Sequence, residues 1–175
     1  ICILLLPSGL LKTQIHLPEG AEEGLFTLKY SYFSLDVSTV IYKDSVFIPF
    51  SDFLNMLKIY NEGAGRSEIK GYVFNKDSSF ALNTSNLTML DINNNTNKIT
   101  EHDFVKTNLE TFVLPSILER IFNISVYVKT KQLKIHIVSD YKFPILLEDE
   151  RLNKYSGIKS DDGSANIELP LLYDR

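Results

Sequence analysis

The chain has 175 residues, of which 44% are apolar, 11% aromatic and 23% charged. This length and apolar share suffice for one sizeable domain or two small ones with a real core. The 18 basic and 22 acidic residues give a formal charge of −4, without the basic surplus that predicts a nucleic-acid partner. The single cysteine, Cys2, excludes an intramolecular disulfide and a cysteine-based zinc site.

The chain begins with an apolar run, Ile-Cys-Ile-Leu-Leu-Leu-Pro-Ser-Gly-Leu-Leu. This run is too short to cross about 30 Å of hydrocarbon as a helix. It matches the hydrophobic region of a signal peptide, and a buried first strand is the alternative. We expect residues 1–24 to be a truncated signal peptide and N-terminal lead. The protein is then exported to the periplasm or cell surface.

Residues 25–42 alternate between apolar and polar, with a change of parity near residues 31–34. This pattern predicts two strands separated by a turn or bulge. The segment Val46-Phe47-Ile48-Pro49 predicts a strand that leads into a helix starting at Phe50 or Ser51. Further expectations are strands at 68–74, 79–83 and 87–92, a turn at 75–77 and a polar surface loop at 93–97.

In the second half of the chain, residues 111–115 repeat this pattern of a strand that leads into a helix. Pro115 is tolerated in the first helical turn, because its missing N–H would have had no partner there. Apolar residues then recur at helical spacing up to Asn123, a residue suited to a left-handed helix end. Two strands are expected after it, at 124–128 and 133–138.

A shift of 65 positions overlays the two helical segments. Phe47 then meets Phe112, and Ile48 meets Val113. The order of strand, helix, turn and strand coincides as well, which indicates a duplicated unit. Each unit is too small to bury its own apolar face, so two would share one core.

The predicted fold class is therefore α+β. It has two βαββ-type repeat units, at about 40–83 and 105–139, with short helices packed on an antiparallel sheet. The whole module is expected to span residues 25–145. Residues 146–175 are expected to be a charged segment and a linker to a following domain, because residues 156–166 are rich in Ser, Gly, Asp and Lys.

Residues 47–59, Phe-Ile-Pro-Phe-Ser-Asp-Phe-Leu-Asn-Met-Leu-Lys-Ile, resemble the signature of copper amine oxidase N-terminal-like domains. Residues 112–126 are similar to a second, divergent copy. The ending at 133–144 is similar to modules that precede outer-membrane barrel or usher-like proteins. Lys58 and Asn123 stand where that family usually has glycine, and Leu114 replaces the proline of the first copy.

The resemblance implies a non-catalytic stalk module of an exported bacterial envelope protein, ahead of an outer-membrane or secreted part. It implies no copper or quinone chemistry. The expected partner is a protein or a cell-wall component. Neither a nucleic-acid partner nor a stable membrane span is expected within this fragment.

Residue patterns that carry chemistry are sparse. His16, His102 and His136 lack the spacing that places two ligands on one face of an element, so we predict no metal site. Carboxylates cluster at 148–150 and 161–162, where solvated surface positions are expected. No catalytic residue and no cofactor is predicted.

The physical means of binding are either an exposed sheet edge that accepts a partner strand or an aromatic surface patch. Tyr30, Tyr32, Tyr60 and Tyr72 are candidate members of such a patch, and core packing is the alternative for each. The competing functions are a hydrolase of cell-wall or glycan substrates and a module that binds a small ligand or glycan. A hydrolase requires two carboxyls that face one another in a cleft.

Overall fold

The computed structural model describes residues 17–63 and 66–158, which form two β-sheets and three helices. The helices are α1 (Phe50–Met56), α2 (Pro115–Phe122) and α3 (Pro144–Ile158). The strands are β1 (Glu22–Tyr30), β2 (Phe33–Tyr42), β3 (Ser45–Pro49), β4 (Tyr60–Glu62), β5 (Glu68–Tyr72), β6 (Ser79–Asn83), β7 (Thr88–Leu90), β8 (Thr96–Lys98), β9 (Phe104–Lys106), β10 (Thr111–Val113), β11 (Ser125–Lys129) and β12 (Lys134–Val138).

The larger sheet has seven strands in the order β11-β12-β1-β2-β3-β10-β9, and the smaller has five in the order β4-β5-β6-β7-β8. The mixed α and β composition agrees with the predicted α+β class. The predicted antiparallel arrangement holds for the described pairings apart from β1 and β12, which pair in parallel. A parallel neighbour needs a long connection, and here residues 31–133 lie between the two strands.

One hydrophobic core joins both sheets to the helices. It contains Phe26 and Leu28 of the larger sheet and Leu82 of the smaller sheet. Phe122, at the end of α2, lies at its centre. Its ring centroid is 5.4 Å from that of Phe53 in α1 and close to three other rings, those of Phe50, Phe80 and Phe143.

A second, smaller cluster lies on the opposite face of the larger sheet. Val40, Phe47, Val105 and Phe112 come from four neighbouring strands and are nearly inaccessible to solvent. Leu17 and Ala21 pack against them. The expected lead at 1–24 lies mostly outside the described residues, and the first strand begins at Glu22, three residues before the alternating pattern.

Helices α1 and α2 end in the same way. Lys58 and Asn123, which follow them, both have left-handed backbone with φ of 56° and 49°. The N–H of Ile59 donates to the carbonyl of Leu54 at 2.9 Å, and that of Ile124 donates to Glu119 at 3.4 Å. The predicted left-handed end at Asn123 is therefore confirmed, as is the first-turn position of Pro115.

The third helix is anchored at its first turns. Phe143, directly before it, is fully buried, and the N–H of Ile145 donates to the carbonyl of Leu57 at 3.3 Å. Glu148 pairs with Lys58 at 2.5 Å, and the hydroxyl of Tyr32 donates to Asp149. This helix therefore starts within the domain instead of only leading out of it. Over the described residues, no helix combines the length and apolarity that a membrane crossing needs.

Three short strands were not predicted from the sequence: β4, β8 and β9. Residues 93–97 were predicted to form a surface loop, but Thr96 and Asn97 belong to β8 and pair with β7. The reversal is tight because one carboxylate oxygen of Asp91 accepts from the N–H groups of Asn93 and Asn95, both at 2.9 Å. Strand β8 therefore exists because it pairs with β7, and not because of its local propensity.

Candidate functional site

The candidate site lies on the outer face of the smaller sheet. Side chains alternate between the two faces of a strand, so Ile69 of β5 enters the core while Lys70 and Tyr72 point outward with Tyr60 and Glu62 of β4. Tyr60 and Tyr72 are directly opposite one another in the β4–β5 pairing. Their rings stack with centroids 4.7 Å apart and an interplanar angle of 23°. Two of the four predicted patch tyrosines therefore meet here.

Two glycines allow β4 and β5 to approach each other in this hairpin. A Cβ atom at Gly71 would lie 1.9 Å from the carbonyl oxygen of Tyr60 and 2.9 Å from the ring of Phe80. Gly63 has a φ of 91°, and a Cβ there would lie 2.2 Å from the carbonyl oxygen of Glu68. Glycine is thus required at both positions by close backbone contact.

Beside the stacked pair runs an open groove of about 960 Å³. Small residues on β6, Ser79 and Ala81, lie between larger groups on the neighbouring strands. The lining residues are Tyr60, Glu62, Lys70, Gly71, Tyr72, Lys76, Ser79, Phe80, Ala81 and Leu90. We call this surface the tyrosine groove.

Charged and polar groups surround the aromatic pair. The hydroxyl of Tyr60 donates to Oε1 of Glu62 at 2.5 Å, and this hydrogen bond raises the pKa of Tyr60 above its usual value of 10.0. Lys70 faces Glu62 across the β4–β5 register. The ion pairs between described residues, Lys58 with Glu148 and Lys142 with Glu150, include neither Lys70 nor Lys76. Both ammonium groups can therefore donate to a ligand.

The groove and the more buried carboxylates occupy different parts of the described chain. Among the residues that line the groove the carboxylate is that of Glu62, and it already accepts from Tyr60. The more buried carboxylates lie elsewhere. Asp91 accepts a hydrogen bond from the N–H of Asn95 in the turn that follows it, and Glu110 accepts one from the Ser51 hydroxyl at the start of α1. They do not face one another across the groove.

The predicted chemical residues are dispersed over the described part of the chain. His102 lies in a surface turn, and His136 lies on the outer face of the larger sheet. His16, Cys2 and residues 161–162 lie outside the described residues. Within the described ranges no group of three or more His, Cys, Asp or Glu side chains is placed to hold a metal ion.

Two of the four tyrosines take other roles. Tyr30 is only 4% exposed, so its proposed place in a surface patch is wrong. Its position on the inward parity of β1 is what buries it, and its hydroxyl donates to the carbonyl of Tyr141 at 3.2 Å. Tyr32 is exposed but contacts Asp149 of α3, and that hydrogen bond raises its pKa to about 12.

Sequence reasoning did not find Lys70, Lys76 or the small floor of the groove. The available signal was the alternation in 68–72, which puts Lys70 and Tyr72 on one face. The pairing of β4 with β5, which aligns Tyr60 with Tyr72, had no signal, because β4 has only three residues.

No family model, no curated protein and no solved structure matches the chain.

Proposed function

We propose that this protein is a non-catalytic binding module whose ligand is a carbohydrate chain held in the tyrosine groove. The observation that carries the proposal is the stacked, solvent-accessible pair of Tyr60 and Tyr72 beside a groove with a small-residue floor. Tyr60 is 42% exposed although it is already stacked on its neighbour. A rigid, partly exposed aromatic pair presents apolar area at low entropic cost.

Sugar rings fit this combination of groups. Their C–H faces are apolar and pack on aromatic rings, while their hydroxyls both donate and accept hydrogen bonds. In the groove, Lys70 and Lys76 are donors, and Glu62 retains acceptor capacity beyond its bond from Tyr60. Apolar walls with a few convergent polar groups are the general form of a ligand site.

The wider setting that we propose is an exported bacterial envelope protein, in which this module precedes an outer-membrane or secreted part. Support comes from the resemblance of residues 47–59 to stalk domains, and from a groove suited to a cell-wall component. A non-catalytic role is supported by the separation of the buried Asp91 and the half-buried Glu110 from the groove.

We further infer that two βαββ-type units arose by duplication. Support comes from the shift of 65 positions, which relates Lys58 to Asn123, both with left-handed backbone. The same shift relates the two hydrogen bonds that end α1 and α2. Strands β3 and β10 also pair antiparallel with Ile48 opposite Val113, the two positions that the shift makes equivalent. When two equivalent units are related by a two-fold axis, equivalent residues on the axis lie opposite one another in this way.

Calorimetric titration with soluble muropeptides and with chito-oligosaccharides tests the carbohydrate proposal. We expect saturable binding that Tyr72→Ala weakens roughly tenfold or more, the effect of removing an aromatic anchor. Tyr127→Ala, which removes an exposed tyrosine from the other sheet, is the matched control and should bind as the wild type does. Absence of binding to both saccharides, or equal losses in the two variants, would contradict the proposal.

The same saccharides test the hydrolase alternative. Incubation with the protein should release no new reducing ends, because the groove offers the carboxylate of Glu62 without a facing partner. Turnover that disappears in Glu62→Gln would instead show an enzyme.

A further inference from the structure

A cluster of basic side chains lies on the outer face of the larger sheet, at the β11 edge. Alternation places Lys129 of β11, Lys134 and His136 of β12, and Lys29 of β1 on this face together with Tyr127. The strand register forms two rows: Tyr127, His136 and Lys29 in one, and Lys129, Lys134 and Thr27 in the next. We call this surface the basic face.

The three lysines of this face outnumber its carboxylates, which are Asp36 of β2 and Glu23 of β1. The ion pairs between described residues involve none of its lysines. The nearest carboxylate in register is Asp36, opposite Thr27, and it accepts a hydrogen bond from the Thr27 hydroxyl at 2.8 Å. Desolvation, and then the charges of Lys129, Lys29 and Lys134, lower the pKa of His136. A chain with a net charge of −4 thus concentrates cations on one sheet face.

Large apolar side chains accompany these lysines. Tyr127 is 56% exposed, and Leu25 on the same face of β1 is 65% exposed. Val138, the last residue of β12, lies on the same face as Lys134 and His136 and is 52% exposed. Scattered apolar residues are normal on a surface, but three around one basic cluster form a mixed patch.

We propose that the basic face docks on an anionic lipid bilayer. Lysines attract the negative surface of such a bilayer, and tyrosine and leucine side chains enter its interfacial layer. A soluble polyanion would use the lysines but would leave Leu25 and Val138 in water. The exposed apolar side chains therefore favour lipid over a polymer. This docking is independent of the tyrosine groove, which lies on the other sheet.

Flotation with vesicles of phosphatidylcholine, with and without phosphatidylglycerol, tests the proposal on the full chain. We expect binding only to vesicles that contain phosphatidylglycerol, weaker at high salt because surface charges are screened. The triple variant Lys29→Gln, Lys129→Gln, Lys134→Gln should bind about a hundredfold more weakly, since each lysine contributes roughly a factor of five. The matched control removes exposed lysines elsewhere, in Lys43→Gln, Lys98→Gln, Lys106→Gln, and should bind like the wild type.

A second variant separates lipid from polyanion. Tyr127→Ser with Val138→Ser keeps every charge, so it should lose vesicle binding about tenfold while its retention on heparin is unchanged. Circular dichroism of each variant establishes that it is folded. The proposal is overturned if the wild type ignores anionic vesicles, if it binds heparin alone, or if the control triple variant loses as much binding as the basic-face variant.

Discussion

Glu110 is the half-buried carboxylate that joins the two helical segments. Its Oε1 atom accepts from the N–H of Thr111 at 2.7 Å, from the N–H of Ser51 at 3.3 Å and from the Ser51 hydroxyl at 3.1 Å. These bonds satisfy donors near the start of α1, where no side-chain cap is present at Pro49. Desolvation nevertheless raises the pKa of Glu110 above 4.5, with the charge of Asp52 acting in the same direction.

A raised folded-state pKa sets the sign of the pH dependence. The folded protein holds this proton more tightly than the unfolded chain, so stability from Glu110 is fully present below pH 4.5 and falls as pH rises through the folded pKa. Glu110→Gln keeps an accepting oxygen without the charge. We therefore expect the difference in unfolding free energy, wild type minus Glu110→Gln, to decline as pH rises above 4.5, measured by urea denaturation.

Glu110→Ala is the control for the hydrogen bonds themselves. It leaves the N–H groups of Ser51 and Thr111 without this acceptor and should be about 1–3 kcal/mol less stable than Glu110→Gln at every pH, because neither replacement side chain titrates. If the difference in unfolding free energy between the wild type and Glu110→Gln stays constant or increases with pH, desolvation does not have the role assigned to it.

For single residues, the sequence predicts the conformation correctly where local backbone preferences determine it. Asn123 tolerates left-handed backbone, and Pro115 suits a first helical turn, so both could be predicted. Tyr30 and Glu110 could not, because their environments depend on partners 111 and 59 positions away in the chain.

At the scale of elements, the β4–β5 hairpin determines whether the two groove tyrosines meet. Gly71→Ala would place its Cβ against the carbonyl of Tyr60 and the ring of Phe80, so one strand must shift. We expect a loss of about 1–3 kcal/mol and a changed near-ultraviolet tyrosine signal, since overpacking displaces backbone. Urea denaturation and circular dichroism measure the two effects.

Gly20→Ala is the matched control for this substitution. Its Cβ meets nothing within 4 Å, although its φ of 79° adds backbone strain. It should therefore leave the tyrosine signal unchanged. If Gly71→Ala were no more disruptive to that signal than Gly20→Ala, close packing at Gly71 would not be what positions the tyrosines.

The strands with strong alternation or clear turns were predictable, as were the short strands β7 and β10, whereas the equally short β4, β8 and β9 were not. Strands β1, β2 and β12 carry a period of two over five or more residues, which signals exposure on one face. Strands β8 and β9 have three residues each and exist because a neighbouring strand supplies hydrogen bonds. Their pairing is a tertiary effect that local sequence does not encode.

At the scale of the whole molecule, Phe122 links the sheets and helices through one aromatic cluster. Phe122→Ala should therefore destabilise the protein by about 3–5 kcal/mol, the cost of a large cavity in a packed core. Because the core is shared, unfolding of both wild type and variant should be one transition, with far- and near-ultraviolet signals coinciding. Phe74→Ala removes a ring that is 46% exposed and should cost less than about 1 kcal/mol. Two separate transitions, with the tyrosine signal of the smaller sheet lost first, would show that each sheet has its own core.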